Sequence, residues 1–237
     1  MAVPAKELPS VADPRPASRL VLLWRSTIGK KALMAVTGLV LFAYLVVHMA
    51  GNLKAFAGGD ELDAWAAFLH SLPGLLWAAR VILLAALVVH VGAGVELWAR
   101  ARTARPTAYA EYRPGVSSAA SRTMIWSGVL ILAFVVYHVL DLTVGVANPD
   151  YQEGDVFHNV LATFGQVAGV VAYLVAMVGL GFHLWHGIYS AFQSLGVSNR
   201  RITPSIQRAA ALVAVVLALG FSSIPLAVVV GILHPGM

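Results

Sequence analysis

Residues 123–145, TMIWSGVLILAFVVYHVLDLTVG, form an apolar run whose single acid, Asp141, lies near its end. A transmembrane helix takes roughly 17 to 25 predominantly apolar residues, so this stretch is long enough to cross a bilayer. His138 sits well inside it. An imidazole has little use in hydrocarbon unless it binds a metal, moves a proton or lines a polar site. The same feature recurs in three more apolar windows: His48 in Lys31–Gly51, His90 in Leu75–Ala99 and His183 in Val160–Ala191. A fifth window runs from Ile206 to Leu233. The fourth is expected to include an interfacial turn at one or both ends, and Pro225 predicts a kink or break in the fifth.

Composition agrees with an all-α integral membrane protein of five transmembrane helices. The 237 residues are 59% hydrophobic and 11% charged, with a mean hydropathy of +0.79. A soluble domain carries about 25% charged residues. The net charge of +5 reads as anchoring charge on one membrane face, not as a nucleic-acid surface. There is no cysteine, which excludes disulfides, thiolate-ligated clusters and covalent haem attachment. Pro4, Pro9, Pro14 and Pro16 make the amino end a poor secretory signal. Residues 1–30 are expected as a cytoplasmic segment, 31–233 as the membrane domain and 234–237 as an extracytoplasmic tail.

The loops set the topology. Lys6, Arg15, Arg19, Arg25, Lys30 and Lys31 precede the first window. Arg100, Arg102, Arg105, Arg113 and Arg122 separate the second from the third, and Arg200, Arg201 and Arg208 the fourth from the fifth. That puts 14 of the 16 basic residues on one side, leaving Lys54 and Arg80. Asp60, Glu61, Asp63, Asp150, Glu153 and Asp155 lie on the other. The positive-inside rule then places the amino terminus in the cytoplasm and the carboxyl terminus outside. Leu62–Leu72 carries Trp65, Phe68, Leu69 and Leu72 at helical spacing, as an interfacial or a plain surface helix would. Neither a large soluble domain nor a convincing internal repeat is visible.

Depth follows from a rise of about 1.5 Å per residue. His48 and His138 fall in the outer half, His90 and His183 in the inner half. Two matched pairs at two depths suit two bis-histidine haems in a bundle formed by the first four helices, with no open iron position for oxygen chemistry. Zinc or copper would gather its ligands at one place. A proton channel would show midplane carboxylates, whereas Glu96 and Asp141 lie near span ends. Gly51, Gly92, Gly94, Gly179 and Gly187, beside the ligands, are expected to make room for a porphyrin. His186, three residues after His183, is the rival inner ligand. Arg80 is a candidate partner for an outer haem propionate, with snorkelling as the plainer role. Arg25, Lys30 and Lys31 suit propionates, lipid or a soluble partner. His70 and His158 lie towards the outer interface, and His234 in the tail.

Several motifs together resemble one family. They are Ile28-Gly29-Lys30-Lys31, the run from His48 to Leu53, Trp77 to Arg80, and His183-Leu184-Trp185-His186-Gly187 continuing to Gly196. Over residues 26–196 the chain resembles the cytochrome b558 membrane subunit of succinate dehydrogenases and fumarate reductases, in its single-chain, five-helix, two-haem form. The resemblance implies two haem b groups, an outer one on His48 and His138 and an inner one on His90 and His183. It also supports His183 over His186. It implies a flavoprotein subunit with FAD, an iron–sulfur subunit, a bacterial cytoplasmic membrane and a quinone, menaquinone in particular. A higher oligomer of the complex is also compatible. Dicarboxylate chemistry would belong to the partner. Glu61 and His70 are the quinone-side or proton-transfer candidates. Some members carry a glutamate two residues before the fourth-span ligand, where this chain has Gly181. The main alternative is the dihaem cytochrome b of a hydrogenase or formate dehydrogenase, and a more distant one is a transporter or proton channel.

Overall fold

The computed structural model describes residues 18–104 and 122–236. Lys6, Arg15, Arg105, Arg113 and the four amino-terminal prolines lie outside the described residues. Eight α-helices are described: α1 Arg19–Arg25, α2 Thr27–Asn52, α3 Gly59–His70, α4 Pro73–Thr103, α5 Met124–Leu142, α6 Val156–Phe164, α7 Val167–Ser194 and α8 Thr203–Val229. A 3₁₀ turn, Leu53–Ala57, extends α2. The five long helices α2, α4, α5, α7 and α8 are each apolar and long enough to span a membrane. Val81, Leu84 and Val88 on α4, Val129 and Val136 on α5, and Leu212, Val215 and Leu219 on α8 face outward without cover. Water would not tolerate so much apolar surface, but hydrocarbon does. The protein is an all-α integral membrane protein.

The basic end of the bundle is built by the Gly29–Lys30 segment. Ser26 is extended, and its hydroxyl accepts the Gly29 N–H at 2.9 Å, capping α2. Gly29 is required by close approach, since a Cβ there would run into the Leu23 carbonyl. This lets α1 fold back on α2 and leads Lys30 inward. Lys30 is fully buried and pairs with Glu96 of α4. Arg100 holds the same carboxylate at 2.8 Å and donates to the Arg25 carbonyl at 3.1 Å. One acid 66 positions away thus ties α1, α2 and α4 together. Residues 19–30, within the expected 1–30 segment, form α1 and the start of α2.

The opposite end is clasped by side chains. Asp63 of α3 accepts the N–H groups of Val156 (2.8 Å) and Phe157 (3.0 Å) at the start of α6. Asp155 accepts the His158 N–H at 2.8 Å. Both carboxylates satisfy otherwise unpaired donors at the positive end of a helix dipole. Ala55, Leu62, Phe157, Val160, Phe164, Tyr173 and Ile224 form an apolar cluster beneath this clasp. Ala176, Met177, Leu180, Leu184, Ala214 and Leu217 form a second cluster where α7 packs on α8.

Two windows differ from expectation in detail. The fourth, Val160–Ala191, divides at Gly165-Gln166 into α6 and the spanning α7, so its turn is at one end only, the end away from the basic cluster. In the fifth, Pro225 removes one backbone donor, yet α8 continues through it to Val229 with the ring buried.

Candidate functional site

The bundle brings the four intramembrane histidines together in two facing pairs. His48 of α2 and His138 of α5 have ring centroids 5.7 Å apart, with ring planes at 84°. His90 of α4 and His183 of α7 are 6.3 Å apart at 59°. Thr37 touches His90 and lies 11 residues before His48; Ser127 touches His183 and lies 11 residues before His138. At helical rise the two pairs are therefore about 16 Å apart in depth.

Each ring is held through Nδ1. His90 Nδ1 lies 3.0 Å from the Met34 carbonyl and 3.4 Å from Thr37 Oγ1. A carbonyl only accepts, so Nδ1 carries the proton. The Thr37 hydroxyl donates to the Leu33 carbonyl at 2.7 Å and is left to accept. His183 Nδ1 meets Ser127 Oγ at 3.3 Å, and that hydroxyl donates to the Met124 carbonyl at 3.1 Å. Ser127 has one proton to give, so His183 is the donor. His138 Nδ1 lies 3.0 Å from Tyr173 Oη, whose hydroxyl donates to Asp141 at 2.9 Å. The same count makes His138 a donor. His48 Nδ1 has a longer contact, 3.4 Å, to Tyr44 Oη.

Three rings are thereby fixed with Nδ1 protonated, which leaves Nε2 with its lone pair. That is the tautomer of a histidine ligand whose other nitrogen is tied to the protein. Two imidazoles sharing one metal, each at about 2 Å, have centroids roughly 6 Å apart. Among the described residues no group of three or more histidine, cysteine, aspartate or glutamate side chains gathers to hold a metal ion. Each pair would offer two imidazole nitrogens, enough to hold a metal already bound in a macrocycle.

Close approach of the spans calls for glycine at Gly38, and Gly128 holds the corresponding place with more room. A Cβ at Gly38 would lie 3.0 Å from His90 Cε1, and one at Gly128 would lie 3.5 Å from His183 Cε1. Thr37-Gly38 precedes His48 as Ser127-Gly128 precedes His138, with identical spacing. The α2–α4 and α5–α7 pairs thus repeat one device, a correspondence the sequence reading passes over. That reading also misses Thr37, Ser127 and Tyr173. The glycines it singles out have other neighbours. A Cβ at Gly51 would meet Trp65, at Gly92 Trp24, at Gly94 Met34 and at Gly179 Leu130, while Gly187 has open space.

The other expected residues are more peripheral. Among the ring contacts of the described residues, His183 and not His186 faces His90. Arg80 is exposed and lies over the Trp77 ring, 5.1 Å from its centroid. His70 is turned onto the Ala66 carbonyl at 2.8 Å. Glu61 is exposed and pairs with Lys54 at 3.5 Å. His158 is held on the Asp150 carbonyl at 2.9 Å, and His234 on the Pro235 carbonyl at 2.9 Å. Lys30 is occupied by Glu96, whereas Arg25 and Lys31 are exposed. Gly181 faces away towards Ala218 of α8, 3.5 Å from where its Cβ would be.

Fold and site together define a multi-spanning helical membrane protein with facing imidazole pairs at two levels of its bundle. A family model for the succinate dehydrogenase/fumarate reductase transmembrane subunit matches residues 99–221, just over half of the chain. The chain belongs to that family, and is the membrane anchor of such a complex. The matched segment includes His138 and His183. No curated protein and no solved structure gives a significant match.

Proposed function

We propose that this anchor binds two b-type haems, one on His48 and His138 and one on His90 and His183. On this reading it carries electrons between an iron–sulfur subunit and membrane quinone, menaquinone in particular. The reading is supported above all by the two facing pairs whose Nδ1 atoms are held by the protein. A haem iron with two imidazole ligands supplies one-electron transfer and offers no position to oxygen. The protein's part is to fix the rings, exclude water with an apolar bundle and set the two sites at different depths. Residues 31–233 form this domain, flanked by the 1–30 segment and the 234–237 tail.

Positive-inside places the basic end, with Arg25, Lys31, Arg100, Arg102, Arg200 and Arg201, in the cytoplasm. There it faces the iron–sulfur subunit, which in turn carries the FAD-bearing dicarboxylate subunit. We assign quinone and proton contact to the outer end, with Glu61 and His70 as candidates and Arg80 as a propionate partner. The histidine layers span about half of a 30 Å hydrocarbon core, so an electron passing between them crosses about half of the membrane field. At about 2.3 kcal/mol per charge per 100 mV for the whole membrane, this step is worth roughly 1 kcal/mol per 100 mV. The family match sets aside the hydrogenase or formate dehydrogenase alternative.

The test is a reduced-minus-oxidised optical spectrum of the purified complex with succinate as reductant. Two b-type haems, at least one reduced by succinate, is the expected result. An active complex without haem would overturn the ligand assignment, and haems deaf to succinate but reduced by another donor would overturn the electron route.

A further inference from the structure

Behind His138 a chain of hydrogen bonds leads to a buried acid that the electron route above leaves unused. The Asn148 amide begins it. Its Oδ1 accepts the Asp150 N–H at 3.2 Å, and its Nδ2 donates to the Asn159 carbonyl and to Thr163 Oγ1, both at 3.3 Å. An amide nitrogen only donates, so the Thr163 hydroxyl must turn its own proton elsewhere. It turns to Asp141, at 3.1 and 3.2 Å from the two carboxylate oxygens. Tyr173 donates to the same carboxylate at 2.9 Å and accepts from His138 Nδ1 at 3.0 Å. The hydroxyl protons of Thr163 and Tyr173 are directed at Asp141, and the Nδ1 proton of His138 at Tyr173.

Fold stability calls here for an acceptor that joins three helices through Thr163 and Tyr173, but not for an acid, since a neutral amide oxygen would serve. Asp141 is 1% exposed, and among the described residues no lysine or arginine forms an ion pair with it. It lies in the last turn of α5, which ends at Leu142. A negative charge there opposes the helix dipole. Burying an acid in a membrane protein without a cation is costly, and such residues are generally functional. The inner pair has no counterpart. His90 and His183 rest on the Met34 carbonyl and on the hydroxyls of Thr37 and Ser127, all uncharged.

We propose that Tyr173 and Asp141 are positioning residues that fix the His138 tautomer and give its ring partial imidazolate character. A hydrogen-bonded partner behind a ligating histidine raises its basicity, and a carboxylate one hydroxyl away does so more than a carbonyl. The more basic ligand stabilises the oxidised iron and lowers the potential of the outer haem relative to that set by a neutral partner. This proposal rests on the haem assignment above and adds the residues that make the two sites electrically unlike.

The experiment is an optical redox titration of both haems in the purified complex, for the wild type and three variants. Asp141→Asn keeps an acceptor for Tyr173 but removes the charge, and raises the potential of one haem only. Tyr173→Phe does the same and changes the low-spin resonance of that haem, because His138 loses its partner. Asp141→Glu keeps the acid and leaves the potential near that of the wild type. A shift confined to one haem in Asp141→Asn and Tyr173→Phe, absent in Asp141→Glu, cannot come from general loosening of the bundle, and Tyr173→Phe decides the matter if Asp141→Asn fails to assemble. Potentials unmoved in Tyr173→Phe, or both haems moved equally in any variant, overturn the proposal. A wild-type complex without haem overturns the ligand assignment instead.

Discussion

The inner and outer halves of the bundle solve one problem with different materials. Inside, His90 and His183 are braced by backbone carbonyls and short hydroxyls, with Gly38 and Gly128 letting the spans approach. Outside, His48 and His138 are packed in side chains: Tyr44 stacks on His48 at 5.2 Å, Phe134 on His138 at 5.7 Å, and Phe221 lies 5.9 Å from His48. The inner site is thus tolerant of side-chain chemistry but strict about space. The outer site is the reverse. A shared spacing, Thr37-Gly38 to His48 and Ser127-Gly128 to His138, underlies both.

The sharpest break of this comparison is removal of a ligand. His138→Leu is expected to abolish one haem and His90→Leu the other, each halving the haem per chain, while His186→Gln leaves both in place. Haem quantification on purified complexes reads this directly. Steric tolerance gives the next largest effect. Gly38→Ala puts a methyl 3.0 Å from His90 Cε1, and overpacking of this kind costs about 1–3 kcal/mol. Gly128→Ala meets His183 at an ordinary 3.5 Å and should be close to neutral. Thermal unfolding of the two variants, with inner-haem occupancy, measures the contrast.

Asp63→Ala tests the outer clasp. It removes the acceptor of two N–H groups at the start of α6, worth about 1 kcal/mol for a helix cap. Hydrogen exchange should quicken in α3 and α6 and stay unchanged around His90. The smallest effect is expected at the surface, where Glu61→Gln breaks the exposed 3.5 Å contact to Lys54. Such pairs contribute about 0–1 kcal/mol, so the melting temperature should barely move. Any change in quinone turnover from Glu61→Gln would then report chemistry rather than stability.

Five spans were legible in the sequence because length and hydropathy define them, and the depth of each histidine follows from counting residues along a helix of fixed rise. Rotation about the helix axis was much less legible. Spans that are apolar all round carry little sign of which face looks inward. Gly51 and Gly179 therefore read as neighbours of a porphyrin, whereas their near contacts are Trp65 and Leu130. Gly38 and Gly128, where an added Cβ would meet the His90 and His183 rings, stood unnoticed. Lys30 read as a partner for propionates, lipid or a soluble subunit, because Glu96, which occupies it, is 66 positions away. Asp141 read as a span-end acid, since nothing local shows that Thr163 and Tyr173 of two other helices close over it.

The most direct measurement is the count of low-spin haem per copy of this chain in the intact wild-type complex. Two haems per chain is the result this account predicts. One haem would contradict the paired sites, and none would contradict the assignment of all four histidines.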